Sequence, residues 1–423
     1  MDKRDIKTDK WRYKMTTNTL GASRTFSGWI PASWAYPETG VTRDLRLDFM
    51  RGFVIPLLFA SHFEYFSALM FIGWERIGVI STAEIFVILS GIVVGMVYGK
   101  KVKQAGVAAA MPGLISRSVA LYRISVLMIL TIAALRFIPW LDTTIVTTFH
   151  DPYGGKTHQL YPPIDASIFE VISKALLLQI GPHQFQIVGM YVVMFILFTP
   201  LVFLMLGNKQ MGLLLGLSWV LYLINLGSNP FLRPTNAQFE YAFPILSWQL
   251  LYVHGMVAGY YKQQVVQFFA ATARGKRLVV LCIALSLGFI LFTWNHPLEQ
   301  FPEWARLHFV PAETFLYWYN TYFTKNTLGI GRLMNVVVLF IAIYTLMTVC
   351  WQPLNRMLGW FFIPLGQASL YVFFIHVFLL LLIANTPLPG YENFWINTGI
   401  HIGLLALVWV LVKRQFLFRW IPH

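Results

Sequence analysis

The chain has 423 residues, a formal net charge of +14, 57% hydrophobic residues and only 12% charged ones, about half the charged share of a soluble domain. This composition excludes a disordered chain and argues against an ordinary cytosolic enzyme, while aperiodic glycine and proline exclude collagen-like and low-complexity chains. With 35 Phe, 19 Tyr and 15 Trp, the expectation is an all-α, polytopic integral membrane protein.

Residues 1–42 mix Lys and Arg with Ser, Thr, Gly and Trp and read as a mobile or membrane-skimming cytoplasmic tail. No apolar core with a small-residue cleavage site follows, so no signal peptide is expected. Residues 43–423 read as one transmembrane domain. A bilayer core of about 30 Å needs roughly 20 apolar residues of helix, and ten stretches qualify or nearly do: about 51–71, 80–98, 114–138, 184–206, 211–227, 243–261, 278–294, 330–350, 360–384 and 396–412. The stretch from Ile168 to Ile180 contains Glu170 and Lys174, so an interfacial or re-entrant helix is expected there.

With a cytoplasmic amino terminus, most Lys and Arg fall on the inner side. The outer side holds Arg76, Arg136, Lys156, Lys174, Arg233, Arg306, Lys325 and Arg332. This positive-inside bias predicts ten helices with both termini cytoplasmic. It also accounts for the net charge through anionic inner-leaflet lipid, and no RNP-type, zinc-finger or helix-turn-helix signal points to nucleic acid. Cys282 and Cys350 lie in apolar runs without a ligand-spaced neighbour, so no metal site is expected.

Two outer loops exceed simple connectors, about 140–183 and 295–329, and long loops in compact proteins are commonly functional. The first holds Asp142, Asp151, Tyr153, Lys156, His158, Tyr161 and Asp165. The second holds Trp304, Phe315, Tyr317, Trp318, Tyr319, Tyr322 and Phe323. Such aromatics suit either an interfacial belt or stacking on sugar rings.

Ionisable side chains inside spans are costly and mark pathways or sites. Arg51 and His62 are separated by about 16 Å of helix rise and share one face, with the imidazole expected near mid-membrane and Asp48 extending that face inward. Glu84 shares a face with Gly91 and Gly95, which suit helix packing. Glu84 is expected at a depth comparable to His62, where it would orient the imidazole. Arg117 and Arg123 open the third span on different faces. His254 and His376, on their own, read as hydrogen-bonded interhelical histidines. The sequence holds no HExxH, GxSxG, GxxxxGK[ST] or GxGxxG, which weakens zinc or serine hydrolysis and P-loop nucleotide use.

The run Arg46-Leu47-Asp48-Phe49-Met50-Arg51-Gly52 with His62, the Ile85–Gly91 stretch ending in Ser90-Gly91, the helix-three arginines and the late His376 resemble the acyltransferase type-3 superfamily. Ala83-Glu84-Ile85-Phe86, Gln186–Tyr191, Ser247–Leu251 and Leu328–Arg332 resemble its OpgC branch, over about residues 43–412. That resemblance implies succinyl transfer from cytoplasmic succinyl-CoA to hydroxyls of periplasmic glucans in a bacterial inner membrane.

On this reading His62 is the general base and Glu84 its orienting group. Arg51 and one of Arg117 or Arg123 would hold the donor's phosphates. Arg332, for the succinate carboxylate, His376 and Trp318 are the candidates for substrate contact. An O-acetyltransferase of lipopolysaccharide or another surface polysaccharide, and a glycan or lipid transporter, remain alternatives.

Overall fold

The computed structural model describes residues 31–37, 43–63, 65–150, 156–228, 232–388 and 393–422; most of the amino-terminal segment lies outside them. The fold is helical, and among the described residues five helices are long and apolar enough to cross a membrane: Thr82–Leu135, His183–Gly207, Ala273–Thr293, Ile330–Val349 and Phe394–Lys413. One bent pair, Trp351–Gln367 and Ser369–Ala384, would make a sixth.

Helix α1, Leu45–His62, starts where the Asp44 side chain accepts the Arg46 backbone N–H, filling one of the bonding vacancies at a helix start. The same carboxylate receives the Arg46 guanidinium (Nε to Oδ1, 2.9 Å), Lys262 Nζ (2.7 Å) and the Tyr344 hydroxyl (2.9 Å), tying three segments together. The helix stops at His62 instead of running on to residue 71. Beyond it the apolar side chains are spent on an aromatic cluster, with Phe66, Phe71 and Trp74 packed around Phe301. The imidazole therefore stands at a helix end, not at the middle of a continuous span.

Helix α2, Thr82–Leu135, is 54 residues long, far more than one crossing requires. It breaks at Gly106, where φ is 77°, a backbone region that glycine enters without steric cost. The Tyr98 hydroxyl donates to Gly113 O at 3.2 Å, although a straight helix would place those residues about 22 Å apart. The arms 82–105 and 107–135 thus fold back on each other, accounting for two separate apolar stretches in the sequence.

A two-stranded antiparallel hairpin, β1 Thr148–His150 and β2 Thr157–Gln159, lies in the first outer loop of this otherwise helical fold. Helix α3, Ile168–Leu176, has nine residues and is too short to cross. Helix α4, His183–Gly207, contains a π-helical turn at Met194–Phe198, a feature common at functional sites.

The longer helices that follow are α5 Met211–Leu226, α6 Ile245–Tyr260, α7 Lys262–Ala271, α8 Ala273–Thr293, α9 Ala312–Tyr322, α10 Ile330–Val349, α11 Trp351–Gln367, α12 Ser369–Ala384 and α13 Phe394–Lys413. The stretch 360–384 is not one straight span, because α11 and α12 meet at Ala368 with an 85° bend.

Helix α2 makes its closest packing against α6. A Cβ at Gly91 or Gly95 would strike the Tyr252 or Met256 carbonyl, and one at Gly255 or Gly259 the carbonyl of Ile88 or Ile92. Small residues four apart on both helices let the backbones touch. A similar crossing joins α1 to α11 through Gly52 and Gly366. These two contacts fix the frame on which the candidate site is built.

Candidate active site

His62 Nδ1 lies 3.0 Å from His376 Nε2, the rings 21° from parallel with centroids 5.1 Å apart. His376 Nδ1 contacts the Phe373 carbonyl at 2.6 Å. A carbonyl only accepts, so His376 Nδ1 carries the proton and His376 Nε2 offers a lone pair. His62 Nδ1 must therefore donate, and in the neutral ring the basic electron pair sits on His62 Nε2. His376 is 0% exposed while His62 retains partial exposure. The helix-one and late-span histidines are thus one unit, with His376 positioning His62 from behind.

Below this pair a cavity of about 290 Å³ is lined by Arg51, Arg117, Ser90, Tyr98, Tyr191 and Phe373, among others. Residues from α1, both arms of α2, α4 and α12 meet there. Tyr191 and Phe195, on either side of the start of the π turn, both face it. The Asp48 carboxylate, on the face that Arg51 and His62 share, is taken by Arg43 at 2.6 and 2.8 Å. Among the described residues neither Arg51 nor Arg117 has an ion-pair partner. Two guanidiniums in one cavity without a paired carboxylate have the chemistry to receive an anion, since arginine pairs phosphate through parallel hydrogen bonds. Phe86 and Phe373, edge to face at 4.8 Å, also line the cavity, and Phe373 carries the carbonyl that holds His376. Arg123 is exposed and outside that lining; the 240° turn between it and Arg117 directs them apart.

Glu84 is not the orienting group for His62. One oxygen accepts from the Ser81 backbone N–H at 2.9 Å and from the Ser81 hydroxyl, closing a capping box at the start of α2. The other receives Arg332 Nη1 at 2.8 Å. Arg332 also donates to Glu75 Oε1 (2.7 Å) and the Phe323 carbonyl (2.9 Å). Arg332 and Glu84 are both 0% exposed. The guanidinium is thus saturated by the protein and locks the second span to α10, correcting its assignment to the succinate carboxylate. Trp318 lies on the exposed side of α9, stacked near Phe292 at 6.3 Å, apart from the histidine pair.

Two further residues were given no role by the sequence. His183, at the start of α4, places its ring edge-on to His62 at 6.3 Å. Lys325 is exposed, and its charge acts on His62, His183 and Glu84. It rides on a braced turn: Gly329 N–H bonds Thr324 O (2.9 Å), Trp248 Nε1 donates to Asn326 O (2.9 Å) and the Tyr222 hydroxyl to Leu328 O (2.8 Å). No spacing rule reaches either residue, since both stand in loops or at loop ends. Tyr191 lay within a quoted motif without a role attached.

His254 bonds its own helix at Leu250 O (2.8 Å) and meets Trp219 of α5 edge-on, as a structural histidine does. Among the described residues no group of three or more His, Cys, Asp or Glu is placed to hold a metal ion.

Long apolar helices locked by glycine crossings and a buried ion pair define a polytopic membrane protein. The chain belongs to the OpgC protein family, whose family model matches residues 43–420, and that membership makes it a membrane acyltransferase. No curated protein and no solved structure matches the chain.

Proposed function

We propose that the protein moves a succinyl group from cytoplasmic succinyl-CoA to hydroxyls of periplasmic glucans in a bacterial inner membrane, through ten crossings with both termini cytoplasmic. The observation that carries this reading is His62, held by His376 with Nε2 free, above a cavity containing Arg51 and Arg117. The fold-back of α2 at Gly106 supports the larger number of crossings, because it divides one long helix into two arms.

In this mechanism the arginines hold phosphates of the donor, and the thioester reaches past Phe86 and Phe373. His62 Nε2 takes the proton of a glucan hydroxyl as its oxygen bonds to the thioester carbonyl carbon. The carbon–sulfur bond of the resulting tetrahedral species then breaks, and the leaving thiolate takes the proton back from His62. Lys325, whose charge acts on His62 and His183, is suited to the far carboxylate of a succinyl chain, a role that Arg332 is too fully paired to fill.

Mass spectrometry of periplasmic glucans tests the reading. Cells carrying the chain should yield glucans heavier by one succinate per modified site, and cells carrying His62→Ala, inserted at normal levels, should not. Unmodified glucan in the presence of the intact protein would overturn it.

A further inference from the structure

The first outer loop supplies a surface to which no role has yet been given. In the hairpin, Phe149 pairs with His158 across the strands, so their side chains emerge on one face, while His150 and Thr157 share the other and bond each other at 3.2 Å. The Phe149 and His158 ring planes are 23° apart and their centroids 6.5 Å apart. Phe149 meets His183 at 5.2 Å, and His183 meets His62 at 6.3 Å.

A row of rings thus leads from the outer hairpin to the proposed base. Phe149 is 38% exposed, His158 is exposed, and His183 and His62 each keep part of their surface open. The row is held in place at its root. Leu160 N–H bonds Thr147 O at 2.9 Å, and Gln184, beside His183, donates to Ile145 O at 2.9 Å, fixing the hairpin to the start of α4.

We propose that Phe149, His158 and His183 form the acceptor subsite, on which a neutral pyranose ring of the glucan stacks with one hydroxyl turned toward His62. This rests on the acyl-transfer reading above and names the residues that would serve its second substrate. A pyranose presents an apolar C–H face and a rim of hydroxyls. The Phe149 ring matches the face, and the imidazole nitrogens of the exposed His158 can donate to or accept from the rim. A purely apolar ligand would leave those nitrogens unused, whereas a sugar uses both parts of the surface. The spacing also suits the chemistry: a ring seated beside His183 has its near hydroxyl adjacent to His62, where the thioester arrives from the opposite side.

The test uses the full-length protein in detergent, with succinyl-CoA as donor and, as acceptor, unmodified glucan extracted from cells lacking this chain. Phe149→Ala and His158→Ala should each raise the KM for glucan about tenfold. The KM for succinyl-CoA and the slow acceptor-independent hydrolysis of the thioester should stay as in the wild type. Phe149→Trp, which keeps a stacking face, should restore a near-wild-type glucan KM. An unchanged glucan KM in Phe149→Ala would overturn the subsite, as would a parallel loss of donor hydrolysis, which would mark the hairpin as structural. A wild-type protein that succinylates no glucan would instead overturn the acyl-transfer reading and the subsite with it.

Discussion

Because His376 Nδ1 is committed to the Phe373 carbonyl and His376 Nε2 stands 3.0 Å from His62 Nδ1, the proton between the two rings belongs to His62. One backbone carbonyl therefore decides which nitrogen of a different helix is basic. His62→Ala should lower kcat by about 10² to 10⁴. His376→Ala should lower it by a smaller factor, leaving both KM values near wild type. Since the two act as a unit, the double variant should lose no more than His62→Ala alone. Losses that multiply would assign the rings independent roles.

Arg51, Arg117 and Arg123 separate by geometry into two groups. Arg51→Ala and Arg117→Ala should each weaken coenzyme A binding by about tenfold or more, in line with loss of a charge-assisted hydrogen bond, while glucan KM changes little. Arg123→Ala should bind coenzyme A like the wild type, because its side chain points away from the cavity. Isothermal titration of the purified variants reads this directly. Equal affinity across all three would reduce Arg51 and Arg117 to packing or topology.

Arg332 makes a prediction of a different kind. Truncation to Ala would strand Glu84, which is 0% exposed, together with Glu75. Breaking a buried ion pair from one side costs about 3–5 kcal/mol. Arg332→Ala should therefore unfold at markedly lower temperature, whereas Arg332→Met combined with Glu84→Gln should recover much of the loss. Thermal unfolding followed in detergent measures both. A stable Arg332→Ala with a selective rise in succinyl-CoA KM would return the residue to substrate binding.

The membrane class and the identity of the proposed base were legible in the sequence, because apolar runs and an intramembrane histidine one helical face from an arginine are local signals. The Gly91 and Gly95 face was legible for the same reason. The partners were not. His62 and His376 are 314 residues apart, and no helical periodicity relates them. Glu84 was flagged to orient His62 and Arg332 to hold the succinate carboxylate, although the two are bonded to each other. Depth arithmetic along a single helix placed Glu84 level with His62 but could not supply the rotation of the second helix, which the α2–α6 glycine crossing sets. The end of α1 at His62 was also hidden, since the aromatic residues after it are as apolar as a span.

At the inner end of α1 the predicted behaviour depends on pH. Burial acts to raise the Asp44 carboxyl, but the Arg46 hydrogen bond and charge, joined by Lys262, outweigh it and lower the pKa to about 2. A depressed carboxylate contributes stability that is complete above its unfolded value near 4 and is lost as pH falls toward 2. The contribution is about 2 kcal/mol at neutral pH. Asp44→Asn should unfold at lower temperature at pH 7, and its unfolding temperature should fall less steeply between pH 4 and pH 2 than that of the wild type. Parallel curves would remove Asp44 as the source of the acid sensitivity.

Lys325 bears on which acyl group is chosen. With Arg332 saturated by Glu75 and Glu84, Lys325, whose charge acts on His62 and His183, is the ammonium proposed to take a second carboxylate at that end of the donor. An exposed pair of this type is worth at most about 1 kcal/mol, which is less than one order of magnitude in KM. Lys325→Ala should therefore raise the KM for succinyl-CoA several-fold while leaving that for acetyl-CoA unchanged, because acetate has no distal charge to lose. Lys325→Arg should keep the preference. Competition between the two donors, read as the ratio of succinylated to acetylated glucan, amplifies a difference of this size. A ratio that does not move in Lys325→Ala would leave donor choice to the shape of the passage between Phe86 and Phe373, and the lysine to the histidines' electrostatic surroundings alone.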